Sequence, residues 1–152
     1  MSQARTNARK SAVQALYQWQ MTGQNLSQIE LQFHEDDRLK DAQKSYFHEL
    51  FHGVPAQLDK IDEALAPFVD RPIEKIDPVE RAILRIGVYE LLLRLDMPYK
   101  VVINESINLA KCFGAEGSHR YVNGILDKVA QQQRAAEIKI KNSGAKKTSG
   151  AD

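Results

Sequence analysis

Apolar residues recur along this chain at three- and four-residue intervals, the spacing that lines one face of an α-helix. No convincing run alternates polar with apolar residues as a half-buried strand would. Glycine and proline punctuate the pattern at Gly23, Gly53-Val54-Pro55, Pro67, Pro72, Pro78, Pro98, Gly114 and Gly117, cutting it into helix-sized pieces. A first helix is expected from about Arg5 to Gln20, with Ala8, Ala12, Leu16 and Trp19 as its core stripe and Lys10, Gln14 and Tyr17 as a separate polar row. Further helices are expected over 26–35, 41–52 and 55–67, and in the 41–52 piece Phe47, Leu50, Phe51 and Val54 stand at core spacing.

The next piece has the clearest start. Asp77-Pro78-Val79-Glu80 places a capping carboxylate, a proline at the first helical position and an acid at the third, and the helix should run to about Leu95. It carries two apolar stripes, Leu84/Val88/Leu91/Leu95 and Val79/Ala82/Ile86/Tyr89/Leu93. A helix apolar on two sides is either central to its domain or lends one side to a partner. Two more helices are expected over 101–113, ended by Gly114, and over 118–134, capped by Ser118. Gly124 inside the last one costs about 1 kcal/mol relative to alanine, for which close helix approach is the usual reason. The fold class is therefore all-α, a compact bundle of about seven helices in one domain over 1–134. The Lys-, Ser- and Gly-rich stretch 135–152 reads as a disordered tail.

Net charge adds little, because 21 basic residues face 20 acidic ones, but its distribution matters. Residues 1–20 hold Arg5, Arg9 and Lys10 and no acid, whereas residues 21–66 hold nine acids against four bases. The N-terminus is thus a small positive pole on a near-neutral chain. The single cysteine, Cys112, excludes an internal disulfide and fits a reducing compartment. No apolar run approaches the roughly 18–20 residues that cross a bilayer, and no signal peptide is evident. A cytoplasmic protein with no membrane association is expected.

Three ordered segments carry a family resemblance. They are Ala8-Arg9-Lys10-Ser11-Ala12-Val13-Gln14-Ala15-Leu16-Tyr17, then Val79-Glu80-Arg81-Ala82-Ile83-Leu84-Arg85-Ile86-Gly87-Val88-Tyr89-Glu90-Leu91, and then Pro98-Tyr99-Lys100-Val101-Val102-Ile103-Asn104-Glu105 continuing through Leu109-Ala110-Lys111, Phe113-Gly114, Ser118 and Tyr121-Val122-Asn123-Gly124-Ile125-Leu126-Asp127. Across residues 4–130 the chain resembles the NusB family of transcription antitermination proteins. The resemblance implies a helical bundle that binds the boxA element of nascent ribosomal RNA as a single strand. It also implies a heterodimer with NusE, a small-subunit ribosomal protein, acting indirectly on the RNA polymerase elongation complex. No cofactor and no catalysis are implied, and the chain alone is expected to be a monomer or a homodimer.

The expected RNA-binding residues follow from this together with the residue chemistry. Arg5, Arg9 and Lys10 can pair with phosphates, and Gln14 and Tyr17 continue their helix. The loop Phe113, Gly114, Ala115, Glu116, Gly117 and Ser118 joins a helix end to a helix start, whose amides are natural phosphate donors, and Lys111 and Arg120 flank it. Tyr17, Phe113 and Tyr121 are candidate stacking rings for unpaired bases. Each also has a plain reading, as a solvated helix start, a simple turn or core packing. In two places the chain departs from the family. Gln3, Thr6 and Asn7 dilute the cationic start, and Gly117 stands where the best-known relatives carry an acid. The expected partner-binding residues are Glu74, Asp77, Glu80, Leu84, Arg85, Val88 and Tyr89, although the leucine and its neighbours also suit a core.

Other functions were weighed. His48-Glu49-Leu50-Phe51-His52 matches the H-E-x-x-H zinc-protease pattern. Yet no strand is legible, neither Glu63 nor Glu74 falls in a recognised third-ligand pattern, and these positions are not typically histidine in the resembled family. No metal site and no enzyme are therefore expected. Cys112 lacks a CxxC partner. RNA cytosine methyltransferases with a NusB-like module are much longer chains, and a protein-only adaptor without RNA contact remains a third class.

Overall fold

The computed structural model describes residues 3–140 and contains the seven expected α-helices: α1 (Gln3–Thr22), α2 (Leu26–Glu35), α3 (Lys44–Ala56), α4 (Leu58–Leu65), α5 (Pro78–Leu93), α6 (Tyr99–Phe113) and α7 (Ser118–Gln133). Short 3-10 turns at Ala66–Phe68 and Ile73–Lys75 lead from α4 into α5, and no strand occurs among the described residues.

Helix α5 is the axis of the bundle. Its start is the one its sequence signal predicts, with the Asp77 carboxylate accepting from the amides of Val79 (2.9 Å) and Glu80 (3.2 Å) and Pro78 opening the helix. Every residue from Ala82 to Leu91 is buried, and α1, α3, α4, α6 and α7 all pack against it. Both apolar stripes therefore face the interior, which is the first of the two alternatives that a doubly apolar helix offers. Only the stripe ends, Leu93 and Leu95, emerge into solvent.

Close approach is concentrated on this helix. A Cβ on Gly87 would lie 2.7 Å from a Leu126 methyl of α7, and one on Gly53 of α3 would lie 2.6 Å from the Tyr89 ring. The expectation for Gly124 is corrected: it is exposed, and nothing lies within 4 Å of its Cβ position. The break expected at Gly53-Val54-Pro55 is also absent. Helix α3 continues to Ala56, because Gly53 seats against Tyr89, Val54 is buried in the core and Pro55 falls in the last turn.

The bundle buries charge as well as hydrocarbon. Arg9 of α1 is fully buried, its Nε donating to Glu90 of α5 (3.0 Å to Oε2) and its Nη1 lying 3.6 Å from Glu105 of α6. The Tyr46 hydroxyl of α3 donates to the same Glu90 carboxylate, and Arg9 lies over the Tyr46 ring at 5.4 Å. Burial pushes the Glu90 carboxyl above its ordinary value, opposed by the charge of Arg9 and by hydrogen bonds from Tyr46 and Arg9. The Tyr46 phenol is pushed far up by burial and by the neighbouring Glu90 charge.

Nearby, at the C-terminal end of α5, Arg134 is also buried. It donates to the carbonyls of Leu91 (2.8 Å), Met97 (2.9 Å), Arg94 (3.0 Å) and Glu90 (3.3 Å), a cationic cap on the negative end of the helix dipole. The boundary expected at residue 134 is corrected accordingly. Residues 135–140 are helical, and Glu137 holds both Arg134 (2.6 Å) and the Tyr99 amide (3.2 Å). The disorder expected for 141–152 lies outside the described residues.

Two stability predictions follow from this packing. Arg9→Ala strands a buried carboxylate and should cost about 3–5 kcal/mol in urea unfolding. Because burial already raises Glu90, the folded state holds that proton more tightly than the unfolded chain. The loss should therefore grow as pH rises above the ordinary glutamate range, and a deficit that is flat between pH 5 and 8 would contradict the assignment. Gly124→Ala, at a helical position with open space, should stabilise by up to about 1 kcal/mol, and a destabilised variant would show a close approach there after all.

Candidate nucleic-acid interface

Helix α1 divides its polar residues by azimuth. At 100° per residue, Thr6, Lys10, Tyr17 and Gln20 fall within an arc of about 80°, which also holds the buried Val13. This arc is anchored at both ends. The Thr6 hydroxyl donates to Glu105 of α6 (3.5 Å), and the Gln20 amide donates to the Pro78 carbonyl at the start of α5 (2.9 Å). Between these anchors, Lys10 is partly exposed and Tyr17 is exposed. Gln14 is exposed beside them, its Oε1 accepting from Arg38 (2.7 Å).

The turn between α2 and α3 borders this row on its other side. Asp37 adopts a left-handed conformation (φ 56°), which a short polar side chain tolerates, and the chain then folds back on α1. Ser11 donates to the Arg38 carbonyl (3.4 Å) and Asn7 to the Asp41 carbonyl (3.0 Å). A shallow cleft of about 330 Å³ results, lined by Asn7, Lys10, Ser11, Arg38, Lys40 and two aspartates, Asp37 and Asp41. Arg38 and Lys40 are cations that sequence reasoning missed. They sit in an acid-rich stretch, and only the fold of the turn delivers them to the side of Lys10.

The late loop lies beyond the far end of the row. From Gln20 the contacts pass to Pro78, and two residues on Glu80 accepts the Ser118 hydroxyl of α7 (2.7 Å). A relay of hydrogen bonds thus links the α1 row, through the start of α5, to the 113–118 loop. Ala115 and Glu116 are exposed, and Gly117 takes a left-handed φ of 82° with open space around its Cβ position. Gly114 closes against Ser118, whose Oγ would be 2.5 Å from an added Cβ. Lys111 and Arg120 are exposed at either side of the loop. Tyr121 is half-buried, with Arg71 over its ring at 5.9 Å, and Arg71 is a third cation that sequence reasoning missed. Burial, together with the Asp70 charge, pushes the Tyr121 phenol up.

Several expected residues are placed elsewhere. Arg9 is not a surface cation, because its guanidinium is consumed by Glu90 and Glu105 inside the bundle. Arg5 is half-buried over the Tyr46 ring (4.8 Å) and bonds Gln43 (3.5 Å). Ser118 does not cap α7. Gly117 holds the cap position, and Ser118 is 2% exposed with its hydroxyl on Glu80. Within the loop the Ser118 amide bonds the Ala115 carbonyl (3.0 Å) and the Arg120 amide that of Gly117 (3.1 Å), so those two amides already have acceptors. Phe113 packs against the core.

The expected partner surface on α5 is largely corrected too. Leu84 and Val88 are fully buried core residues. Arg85 makes a bidentate ion pair with Asp62 (3.0 and 2.9 Å) and donates to Gln20 (2.9 Å). Tyr89 is 8% exposed and donates to Glu49 (3.1 Å), with its phenol pushed up to about 12 by burial and by the Glu49 charge. Glu74 and Asp77 are exposed and Glu80 is half-buried, all at the start of α5. Glu49, the acid of the H-E-x-x-H pattern, is held by Arg94 (3.0 Å) and Tyr89 and is not available as a general base beside the two histidines.

Comparison with known proteins gives a consistent set of likenesses. The sequence pattern of the NusB family matches residues 6–131. The chain is 55% identical to the transcription antitermination protein NusB of Nitrosococcus oceani over 139 residues, covering 91% of this chain and 93% of that protein. Among solved structures it is similar to T. maritima NusB, with a TM-score of 0.72 and 30% identity over 86% of this chain and 93% of that one. It is also similar to the NusB chain in a crystal structure of antitermination factors NusB and NusE in complex with double-stranded RNA, with a TM-score of 0.74 and 25% identity over 87% of this chain and 99% of that one.

The geometry predicts which substitutions act on binding and which on folding. Replacing Lys10 and Lys40 together by alanine should leave thermal stability nearly unchanged and flatten the salt dependence of RNA affinity, by about 0.7 in log–log slope for each lost single-strand phosphate contact. An unchanged slope would remove this face from the interface. Gly117→Asp, which adds negative charge where the left-handed backbone still tolerates the side chain, should weaken RNA binding in a gel shift.

Proposed function

The chain belongs to the NusB family, and on that footing we propose that it is a transcription antitermination factor that binds boxA RNA of nascent ribosomal transcripts together with NusE and so modulates RNA polymerase elongation. It is a binding protein, not an enzyme. It works with RNA polymerase in the cytoplasm, and no helix among the described residues is long and apolar enough to cross a membrane.

The observation that carries the RNA part of this reading is the cleft where Lys10 meets Arg38 and Lys40, beside the exposed Gln14 and Tyr17, with the 113–118 loop and Tyr121 linked to the same helix through Gln20, Pro78 and Glu80. Flexible cations for phosphates beside partly exposed rings for bases are the combination that suits an unpaired strand. Mixed charge in the cleft favours modest affinity for the chain alone and a real contribution from the partner.

For NusE, the acids that remain at the surface, Glu74, Asp77 and the half-buried Glu80, favour a docking site at the beginning of α5 rather than along its length. Glu80 also holds Ser118 (2.7 Å), so a protein docked there abuts the RNA-facing loop. This supports joint rather than independent binding of the two partners.

A gel-shift comparison tests the reading. Single-stranded boxA-like RNA, a scrambled strand and a duplex are each titrated with the chain, with and without NusE. Selective binding of the boxA-like strand, tightened by NusE, is expected. Equal affinity for the scrambled strand in the presence of NusE would reject it, and preference for the duplex would reject the single-strand part.

A further inference from the structure

Three of the four histidines of this chain gather around one carboxylate on the edge formed by α2 and α3. His48 and His52 stand one turn apart on α3 with their rings stacked at 4.1 Å, and both face Glu30 of α2. His48 Nδ1 lies 2.9 Å from Glu30 Oε2, and His52 Nε2 lies 2.7 Å from Glu30 Oε1. His34, one turn further along α2, brings its Nε2 to 4.0 Å from the same carboxylate. Neither the RNA-facing row nor the start of α5 uses any of these groups.

We propose that Glu30, His48 and His52 form a binding site for a divalent transition metal ion of the zinc class, which pins α2 to α3. The donor set suits such an ion: two imidazoles and a carboxylate are borderline ligands that zinc, nickel and cobalt accept, and too few oxygens are present for calcium or magnesium. The geometry suits it as well. The three donor atoms lie within 4.8 Å of one another. Bonds of about 2.0–2.1 Å to a tetrahedral ion need donors roughly 3.3 Å apart, so each pair closes or opens by no more than about 1.5 Å. The fourth position is left to water or to His34.

The site is also built rather than accidental at the level of the helices. His48 and His52 sit at i and i+4, which puts both on one face, and the buried Phe47 and Phe51 lock the adjacent face of α3 into the core beside Phe33 of α2. The site is not that of a zinc protease, because Glu49 points away into its contacts with Arg94 and Tyr89. Its third ligand precedes the histidine pair in sequence, where the protease pattern does not place it. The proposal departs from the sequence-based expectation of no metal site.

The test uses the full, untagged chain at pH 7.5, freed of metal by dialysis against chelator. Zinc is titrated by calorimetry, and cobalt is titrated with its visible absorption as a report on coordination. One ion per chain with micromolar or tighter affinity is expected, with a higher Tm in zinc. Glu30→Gln and His52→Ala should each weaken binding by at least an order of magnitude while circular dichroism stays unchanged, and His119→Ala, at the one histidine outside the cluster, should bind as the parent does. Absence of stoichiometric binding, or affinity unaltered in Glu30→Gln and His52→Ala, would overturn the proposal.

Discussion

The buried guanidinium of Arg9 is the constraint from which the arrangement of this bundle follows. A charge taken out of water is tolerable only where opposite charge and hydrogen bonds replace its hydration. Glu90, Glu105 and Tyr46 supply these from three other helices, and that fixes how α1, α3, α5 and α6 meet. Apolar packing alone would permit α1 to slide or rotate over α5 at small cost, because methyl groups have many nearly equivalent neighbours. A guanidinium with two carboxylates does not. Arg134 gathers the carbonyls of Leu91, Glu90 and Arg94 at the same end of α5, so the last turn of the central helix is held by Arg9 through the Glu90 side chain and by Arg134 through the backbone.

This constraint also decides which chemistry reaches the surface. One residue along a helix is a rotation of 100°, so spending Arg9 in the interior turns its neighbour Lys10 outward, beside Gln14 and Tyr17. The surface cations then have to come from elsewhere, and the turn after α2 provides Arg38 and Lys40. The proposed nucleic-acid face is thus assembled from a helix whose orientation is set by a buried ion pair and a turn that folds back onto that helix.

The parts of the structure that were legible in the sequence are those encoded locally. The three- to four-residue period yields all seven helices, and Asp77-Pro78 marks the start of α5 because a cap is made by residues two and three positions apart. Illegible features depend on residues far away. Arg9 and Lys10 look equivalent until Glu90 and Glu105 are brought to one of them. Gly124 looks like a close-approach glycine, but the true one is Gly87, because only the packing of α7 on α5 shows which of the two faces Leu126. Arg85 and Tyr89 read as docking residues for the same reason: the partners that satisfy them, Asp62 and Glu49, lie on other helices. The family likeness supplied the face and the loop in advance. It did not separate interior from exterior within α1 or α5, since a motif records residue types and not azimuths.

The proposed metal site and the proposed nucleic-acid face are linked through the chain that joins them. Glu30 and the histidine pair lie on the helices at either side of the 36–43 turn, so an ion held between them shortens the free segment that carries Arg38 and Lys40. Closing a loop at its base reduces the conformations open to its tip, and the entropy of ordering that tip against a phosphate is then partly met before RNA arrives. The effect acts on the turn and leaves Lys10 and Tyr17, fixed on α1 by the Arg9 network, as they are. Metal binding would therefore enter RNA recognition as preorganisation of one border of the face, distinct from the folding role of the buried arginine.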